Sequence, residues 1–220
     1  MSINIAIDGP SAAGKSTIAK RLAKLLNYRY LDTGAMYRSV ALKASALGID
    51  LDDEKKIMAM LRDTIISFDI GGRVYLDEVD VSLAIREHAV SAAASKVSLL
   101  KEVRNDMVAR QRQIAEKQPG IIMDGRDIGS VVLPSAELKI YLSALPEVRA
   151  QRRFQELLDK GSDCDYQVIL QEVIERDIQD STRENSPLIK CDDAVEIDTS
   201  YLSVEEICTI IYDLALQRGA

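Results

Sequence analysis

The sequence predicts an α/β protein built on a five-stranded, mainly parallel sheet flanked by helices. Three observations carry this. Short apolar runs alternate with longer stretches at helical spacing, the pattern of strand–crossover–strand units. A glycine-rich turn follows the first run, where a strand hands over to a helix. And 220 residues suffice for one well-buried core with a smaller insertion. The composition of 47% hydrophobic and 29% charged residues is that of a chain able to fold on its own.

Taken in order, the first strand is Ile3 to Ile7, followed by a helix whose apolar positions are Ile18, Leu22, Leu25 and Leu26. Tyr28 to Leu31 is the second strand. The alternation then breaks: Thr64 to Ile70 and Arg73 to Asp77 flank Gly71-Gly72 and read as an inserted β-hairpin. Ile121 to Met123, Leu138 to Leu142 and Val195 to Ile197 complete the five strands. Gly161 to Cys164, small and polar between two helical stretches, reads as the tip of a flap. Ser203 and Glu206 form a capping box before Ile207, Ile210, Ile211 and Leu214.

Lys and Arg total 28 against 35 Asp and Glu, a net charge of -7, so long-range attraction to nucleic acid or anionic membrane is not expected to drive function. The aromatic residues are dispersed, with no stripe on which bases could stack. Cys164, Cys191 and Cys208 are odd in number and lack a CxxC, which argues against a disulfide framework and a zinc site and favours a reducing cytoplasm. The N-terminus lacks the basic region and cleavage site of a secretory signal, and no run approaches the ~20 apolar residues that span a bilayer. The single histidine, His88, sits beside Arg86 and Glu87 and is expected at the surface.

The glycine-rich turn reads Gly9, Pro10, Ser11, Ala12, Ala13, Gly14, Lys15, Ser16, Thr17, a full match to GxxxxGK[ST]. Each part has a physical reason. The glycines let backbone N–H groups turn toward phosphates, the helix presents its positive end, Lys15 reaches the transferring phosphoryl group, and the Ser16 hydroxyl suits Mg²⁺. The motif therefore predicts a P-loop NTPase fold that binds ATP with Mg²⁺. Switches, assembly ATPases and small-molecule kinases share this loop. The chain has no Asn-Lys-x-Asp for guanine and is short for a motor, so a kinase leads over a nucleotide-binding switch.

Three further clusters suggest an acceptor. After the third of the main strands comes Asp124-Gly125-Arg126-Asp127-Ile128-Gly129, at the strand end where open α/β sheets keep ligands. Asp124 can hold Mg²⁺ through water or orient the attacking oxygen, Arg126 can bind an acceptor phosphate, and Asp127 can read a base or a sugar; the plainer alternative is an Asp-Gly turn with a structural salt bridge. In Asp32-Thr33-Gly34-Ala35-Met36-Tyr37-Arg38, Asp32 or Thr33 can cap a helix that carries Arg38. Arg149, Arg152 and Arg153 follow Pro146, while Arg176, Asp180 and Arg183 stand at i, i+4 and i+7, so that one helix face can present all three charges. Either they close over phosphates or they form an ordinary solvated face.

Together, Ile-Asp-Gly-Pro-Ser-Ala-Ala-Gly-Lys-Ser, Leu-Asp-Thr-Gly-Ala-Met-Tyr-Arg and Met-Asp-Gly-Arg-Asp-Ile-Gly-Ser-Val-Val closely resemble the bacterial cytidylate kinases, P-loop nucleoside monophosphate kinases. The likeness extends to residues 76–81 with Ile85-Arg86, and to Glu175-Arg176-Asp177 with Asp180 and Arg183. It implies one domain over 1–220: a core (about 1–62, 87–148 and 184–220), a small β-containing monophosphate-binding insert (about 63–86) and a helical lid (about 149–183). It implies transfer of the γ-phosphoryl group of ATP to CMP or dCMP by a monomer of pyrimidine nucleotide metabolism. By this resemblance Ser95, Arg104 and Asp127 contact cytosine, Arg38 and Arg126 the α-phosphate, and Arg176 and Asp180 the ribose, with Arg183 near the phosphates and Thr33 in the same CMP set. Lys15, Arg126, Arg153 and Asp124 are the expected catalytic group, and Ser16 the Mg²⁺ ligand. Ser95 and Arg104 rest on the weakest local patterns, Ala-Ala-Ala-Ser and Glu-Val-Arg.

Overall fold

The five apolar runs are the strands of the main sheet, and they run further toward their C-terminal ends than the apolar residues alone indicate. In the computed structural model, which describes residues 2–69, 71–117 and 120–220, the elements follow in this order. They are β1 (Ile5–Asp8), α1 (Lys15–Leu26), β2 (Arg29–Asp32), α2 (Thr33–Ala46), α3 (Glu54–Arg62), β3 (Ile66–Phe68), β4 (Val74–Leu76) and β5 (Val79–Asp80). A 3₁₀ turn at Ala84–Arg86 then leads to α4 (His88–Val97), α5 (Lys101–Glu116) and β6 (Ile121–Gly125). A π-helical turn over Ile128–Val132 precedes β7 (Leu138–Ser143), α6 (Pro146–Asp159), α7 (Tyr166–Thr182), β8 (Val195–Asp198) and α8 (Val204–Gln217). The main sheet has the order β2-β6-β1-β7-β8.

The chain divides into two compact units, residues 1–28 with 119–220, and residues 29–118. In the first, β1 pairs in parallel with β6 and with β7, so that Asp8 lies opposite Gly125 on one side and Tyr141 on the other, and β8 continues from β7. β1 is buried throughout, as parallel strands with covered faces are. Helix α8 begins with the expected capping box of Ser203 and Glu206. Its buried stripe is Ile207, Cys208, Ile211 and Ala215, not the expected Ile210, which is 40% exposed; likewise Leu25 on α1 is 55% exposed. In both helices the apolar face is narrower than the count of apolar residues suggested. Helices α6 and α7 form a hairpin around Ala150, Leu157, Ile169 and Val173, and the segment Gly161–Cys164 lies in the turn between them.

The second unit packs α2 on α3, α4 and α5 through Met36, Val40, Ile57, Leu61, Val97 and Met107. The expected hairpin is the first part of a three-stranded antiparallel sheet, β3-β4-β5, in which Ile66 faces Leu76 and Leu76 faces Val79. Strand β5 went unpredicted because its two residues are both exposed and carry no alternation. This sheet seats Val74, Leu76, Val81 and Ile85 against Ala35. Residues 63–86, the expected insert, form part of this larger unit. Ile70, placed by the sequence at the end of the first hairpin run, lies outside the described residues.

Candidate active site

The loop between β1 and α1 is shaped by backbone requirements that the sequence meets residue by residue. Gly9 has φ +147°, and a Cβ there would lie 2.1 Å from the Leu142 carbonyl oxygen, so only glycine lets β1 leave the sheet at this point. Gly14, at φ +90°, is the left-handed cap from which α1 starts; Ala12, at φ +59°, holds a similar conformation without being glycine. Lys15 is the first residue of α1 and is buried, and its Nζ donates to the Pro10 carbonyl at 2.6 Å. Burial, with Arg126 nearby, pulls its pKa down to about 7, against the opposing pull of Asp124, Asp180 and Asp8. Thr199 and Arg149 fasten the loop from outside: Thr199 Oγ1 donates to the Ala13 carbonyl at 3.1 Å and Arg149 Nη1 to the Ser11 carbonyl at 3.2 Å.

Beside the loop stand acids from the ends of β1 and β6. Ser16 Oγ donates to Asp124 Oδ2 at 2.9 Å, placing two hard oxygens together next to the phosphate loop. Among the described residues no three or more His, Cys, Asp or Glu side chains group as a metal cage. An ion that takes one or two protein oxygens and completes its shell from substrate phosphates, as Mg²⁺ does, fits this pair. Asp8 is 5% exposed, and its two carboxylate oxygens accept from the amides of Ile128 and Gly129 at 2.8 and 2.7 Å. Burial outweighs those hydrogen bonds and raises its pKa to about 6.

The charges of α7 are not a solvated face. Arg126 Nε donates to Asp180 Oδ2 at 2.7 Å, and Arg183 lies 3.6 Å from the other oxygen of the same carboxylate, with Asp180 and the Arg183 side chain both buried. Burial works against ionisation of Asp180, yet Arg126, Arg176 and Arg183 together hold its pKa below the usual range. The same attraction, with Asp124 and Asp8, keeps Arg126 firmly charged in spite of its burial. One expectation changes: α7 ends at Thr182, so Arg183 is past the helix on extended backbone, and its Nε donates to the Ser186 carbonyl at 2.7 Å. The α6 arginines face different partners. Arg149 bonds Asp177 and the Ala144 carbonyl, Arg152 bonds Thr199, and Arg153 pairs with Glu156 at 3.0 Å. Asp127 is buried at the entry to the π-helical turn.

In the second unit Asp32, not Thr33, caps α2: it accepts from the Ala35 amide at 2.9 Å and pairs with Arg38 at 2.7 Å, while Thr33 is the first helical residue. Gly34 leaves room for this pair, since a Cβ there would meet Arg38 Nη1 at 3.0 Å. Arg38 Nε is buried with no hydrogen-bond partner among the described residues, a donor left over for a ligand. Arg104 is buried on α5, where its Nε donates to the Ser98 carbonyl and its Nη1 to Tyr37 Oη, both at 3.2 Å, with the guanidinium 5.2 Å over the Tyr37 ring. Ser95 is half-buried on α4, one turn before Ser98. His88 is exposed, as expected.

The sequence reasoning missed Asp8, Tyr37, Asp177 and Thr199. Asp8 carried a signal, an acid ending an apolar strand immediately before the glycine loop. The other three look like ordinary polar residues until the fold brings them to Arg104, Arg149 and Ala13.

A P-loop with a buried lysine and a partly buried arginine beside hard oxygen donors can stabilise charge moving between phosphate oxygens. The chain is by class a P-loop kinase. Its fold is similar to that of a gluconokinase from Sinorhizobium meliloti 1021 (TM-score 0.50, 13% identity, covering 100% of this chain and 98% of that one) and of a shikimate kinase from Bacteroides thetaiotaomicron (TM-score 0.50, 12% identity, covering 97% and 98%). Sequence comparison narrows the class. The cytidylate kinase family model matches residues 5–217. A cytidylate kinase of Bacillus pumilus is 50% identical over 216 residues (97% of this chain, 96% of the relative), and one of Caldicellulosiruptor bescii is 52% identical over 215 (96% and 95%). The chain belongs to the cytidylate kinase family. Among the described residues no helix is long and apolar enough to cross a membrane.

Proposed function

We propose that this protein transfers the γ-phosphoryl group of ATP to CMP or dCMP, giving ADP with CDP or dCDP. The observation that supports this most directly is the pairing of the phosphate loop, with Lys15 buried at its end, with a partly buried Arg126 held by Asp180 at 2.7 Å. Lys15 lies on the ATP phosphates, and Arg126 on the acceptor phosphate. Ser16, with Asp124, would hold Mg²⁺, which when bound would neutralise charge on the phosphates. The attacking oxygen belongs to a phosphate already ionised at neutral pH, so no general base is needed and the side chains position and neutralise.

On the acceptor, Asp127 receives a hydrogen bond from the cytosine amino group, where uracil would present a carbonyl oxygen to the carboxylate. Arg176 and Asp180 bind the ribose, Arg183 stands near the phosphates, and Thr33, Arg38, Ser95 and Arg104 are further CMP contacts. Arg153, with the lid over 149–183, closes on ATP. On the same reading the protein works as a monomer in the cytoplasm, in pyrimidine nucleotide metabolism.

The test is ADP release with Mg-ATP and, in turn, CMP, dCMP, UMP, AMP, GMP and shikimate. Fast turnover with CMP and dCMP alone, reduced about 10²- to 10³-fold in Lys15→Ala, is the expected result. A different preferred acceptor removes the base-recognition assignments, and ATP hydrolysis without acceptor preference replaces the kinase with a nucleotide switch.

A further inference from the structure

The role of Asp8 lies outside the chemistry described so far. It ends β1 immediately before Gly9, and each of its carboxylate oxygens takes one of two consecutive amides, those of Ile128 and Gly129, more than a hundred residues away in sequence. These amides open the π-helical turn that follows Arg126 and Asp127, and the first N–H groups of a helical turn have no partner within it. An ionised carboxylate only accepts, so it can take two adjacent N–H groups at once; the amide of asparagine would turn an NH₂ toward one of them. At Gly129 a Cβ would stand 3.4 Å from Asp8 Oδ2, an ordinary contact, and 3.1 Å from Lys139 Cδ, so the carboxylate sits directly over this turn.

Burying an acid here is unfavourable in itself, as its raised pKa shows, and Asp127 adds repulsion that Lys15 only partly offsets. For packing alone a neutral residue would serve better. We propose that Asp8 is a positioning residue for the acceptor: its carboxylate ties the strand that enters the phosphate loop to the turn after Arg126 and Asp127, and so fixes the acceptor-binding pair relative to that loop. This rests on the reading above that Arg126 and Asp127 bind CMP.

The experiment compares Asp8→Asn and Asp8→Glu with the parent protein in three measurements: affinity for CMP and for ATP, each alone by calorimetry, kcat with both, and hydrogen exchange at the amides of Ile128 and Gly129. For Asp8→Asn the expected result is CMP affinity down about tenfold with kcat reduced as well, ATP affinity kept, and faster exchange at both amides, since small misplacements of binding groups are costly. Asp8→Glu, which keeps the acid but displaces its oxygens by one methylene, shows the same split more weakly and answers the question if Asp8→Asn does not fold. Equal losses for both nucleotides, or unchanged CMP affinity and exchange, overturn the proposal. A parent protein that binds ATP but not CMP removes the reading beneath it instead, and the exchange measurement then still decides whether Asp8 holds the turn.

Discussion

In the first unit Arg126 and Arg183 converge on one buried carboxylate, Asp180, at 2.7 and 3.6 Å, whereas in the second unit Arg104 leans on a carbonyl and on the hydroxyl and ring face of Tyr37. The difference is one of what a missing partner leaves behind. Where buried ions hold one another, removing one strands the others in a medium that solvates them poorly. Where a neutral group holds the cation, its loss costs about one hydrogen bond, roughly 1 kcal/mol.

The sharpest test of that contrast is Asp180→Ala, which leaves two guanidinium groups without their shared acid. The expected loss is about 3–5 kcal/mol in denaturant-induced unfolding. A loss near 1 kcal/mol would put the two units on the same footing. Next comes Lys15→Ala, which removes one buried cation whose task is the transition state; kcat should fall about 10²- to 10³-fold in the ADP-release assay while CMP still binds. Asp127→Ala acts on selectivity: the preference for CMP over UMP, read as the ratio of kcat/KM values, should fall roughly 10²-fold, with ATP binding kept.

A smaller effect lies in the pH dependence of the first unit. Burial lowers the Lys15 pKa to about 7, so near neutrality part of the unliganded protein holds it uncharged. Bound ATP favours the charged form, and binding must therefore take up protons: about half a proton at pH 7, less below pH 6, with affinity falling as pH rises through 7. Calorimetry in buffers of different ionisation heat reads this directly. Asp8 has the opposite sign of shift, with a folded pKa of about 6 above its ordinary 3.8, so the folded state binds more protons and stability declines between those pH values by about 3 kcal/mol. Asp8→Asn should flatten that decline. The smallest expected effect is Tyr37→Phe, which keeps the ring under Arg104 but loses the hydroxyl, costing about 1 kcal/mol of stability.

The same contrast explains what the sequence disclosed. The phosphate loop is contiguous, so its residues could be assigned from spacing alone, and the strands on either side were found from their apolar runs. The runs end early where function begins: the first was expected to stop at Ile7 and the β6 run at Met123, yet pairing continues through Asp8 and Gly125. The residues at these strand ends are polar or small, so the apolar signal fades where the proposed site starts. Arg104 and Tyr37 are 67 residues apart, and only the packing of α2 and α5 joins them. The capping box of α8 and the cap of α2 were legible because a cap is a local bond. The burial of Arg183 and Asp180 was not, because their i, i+3 spacing is the same on a wet surface and in a core.

Arg149 has one consequence for how the α6–α7 hairpin can move. It reaches the Ser11 and Ala144 carbonyls and Asp177 at once, and one turn on Arg152 is bonded to Thr199. In mechanical terms this end of the hairpin is pinned to the rim of the loop, and the stretch from about Arg153 to Arg176, with Gly161–Cys164 at its tip, is an arm beyond the pin. A rotation of that arm about Arg149 would pull on the rim of the phosphate loop itself, making the hairpin a lever whose short end rests on the nucleotide's cradle.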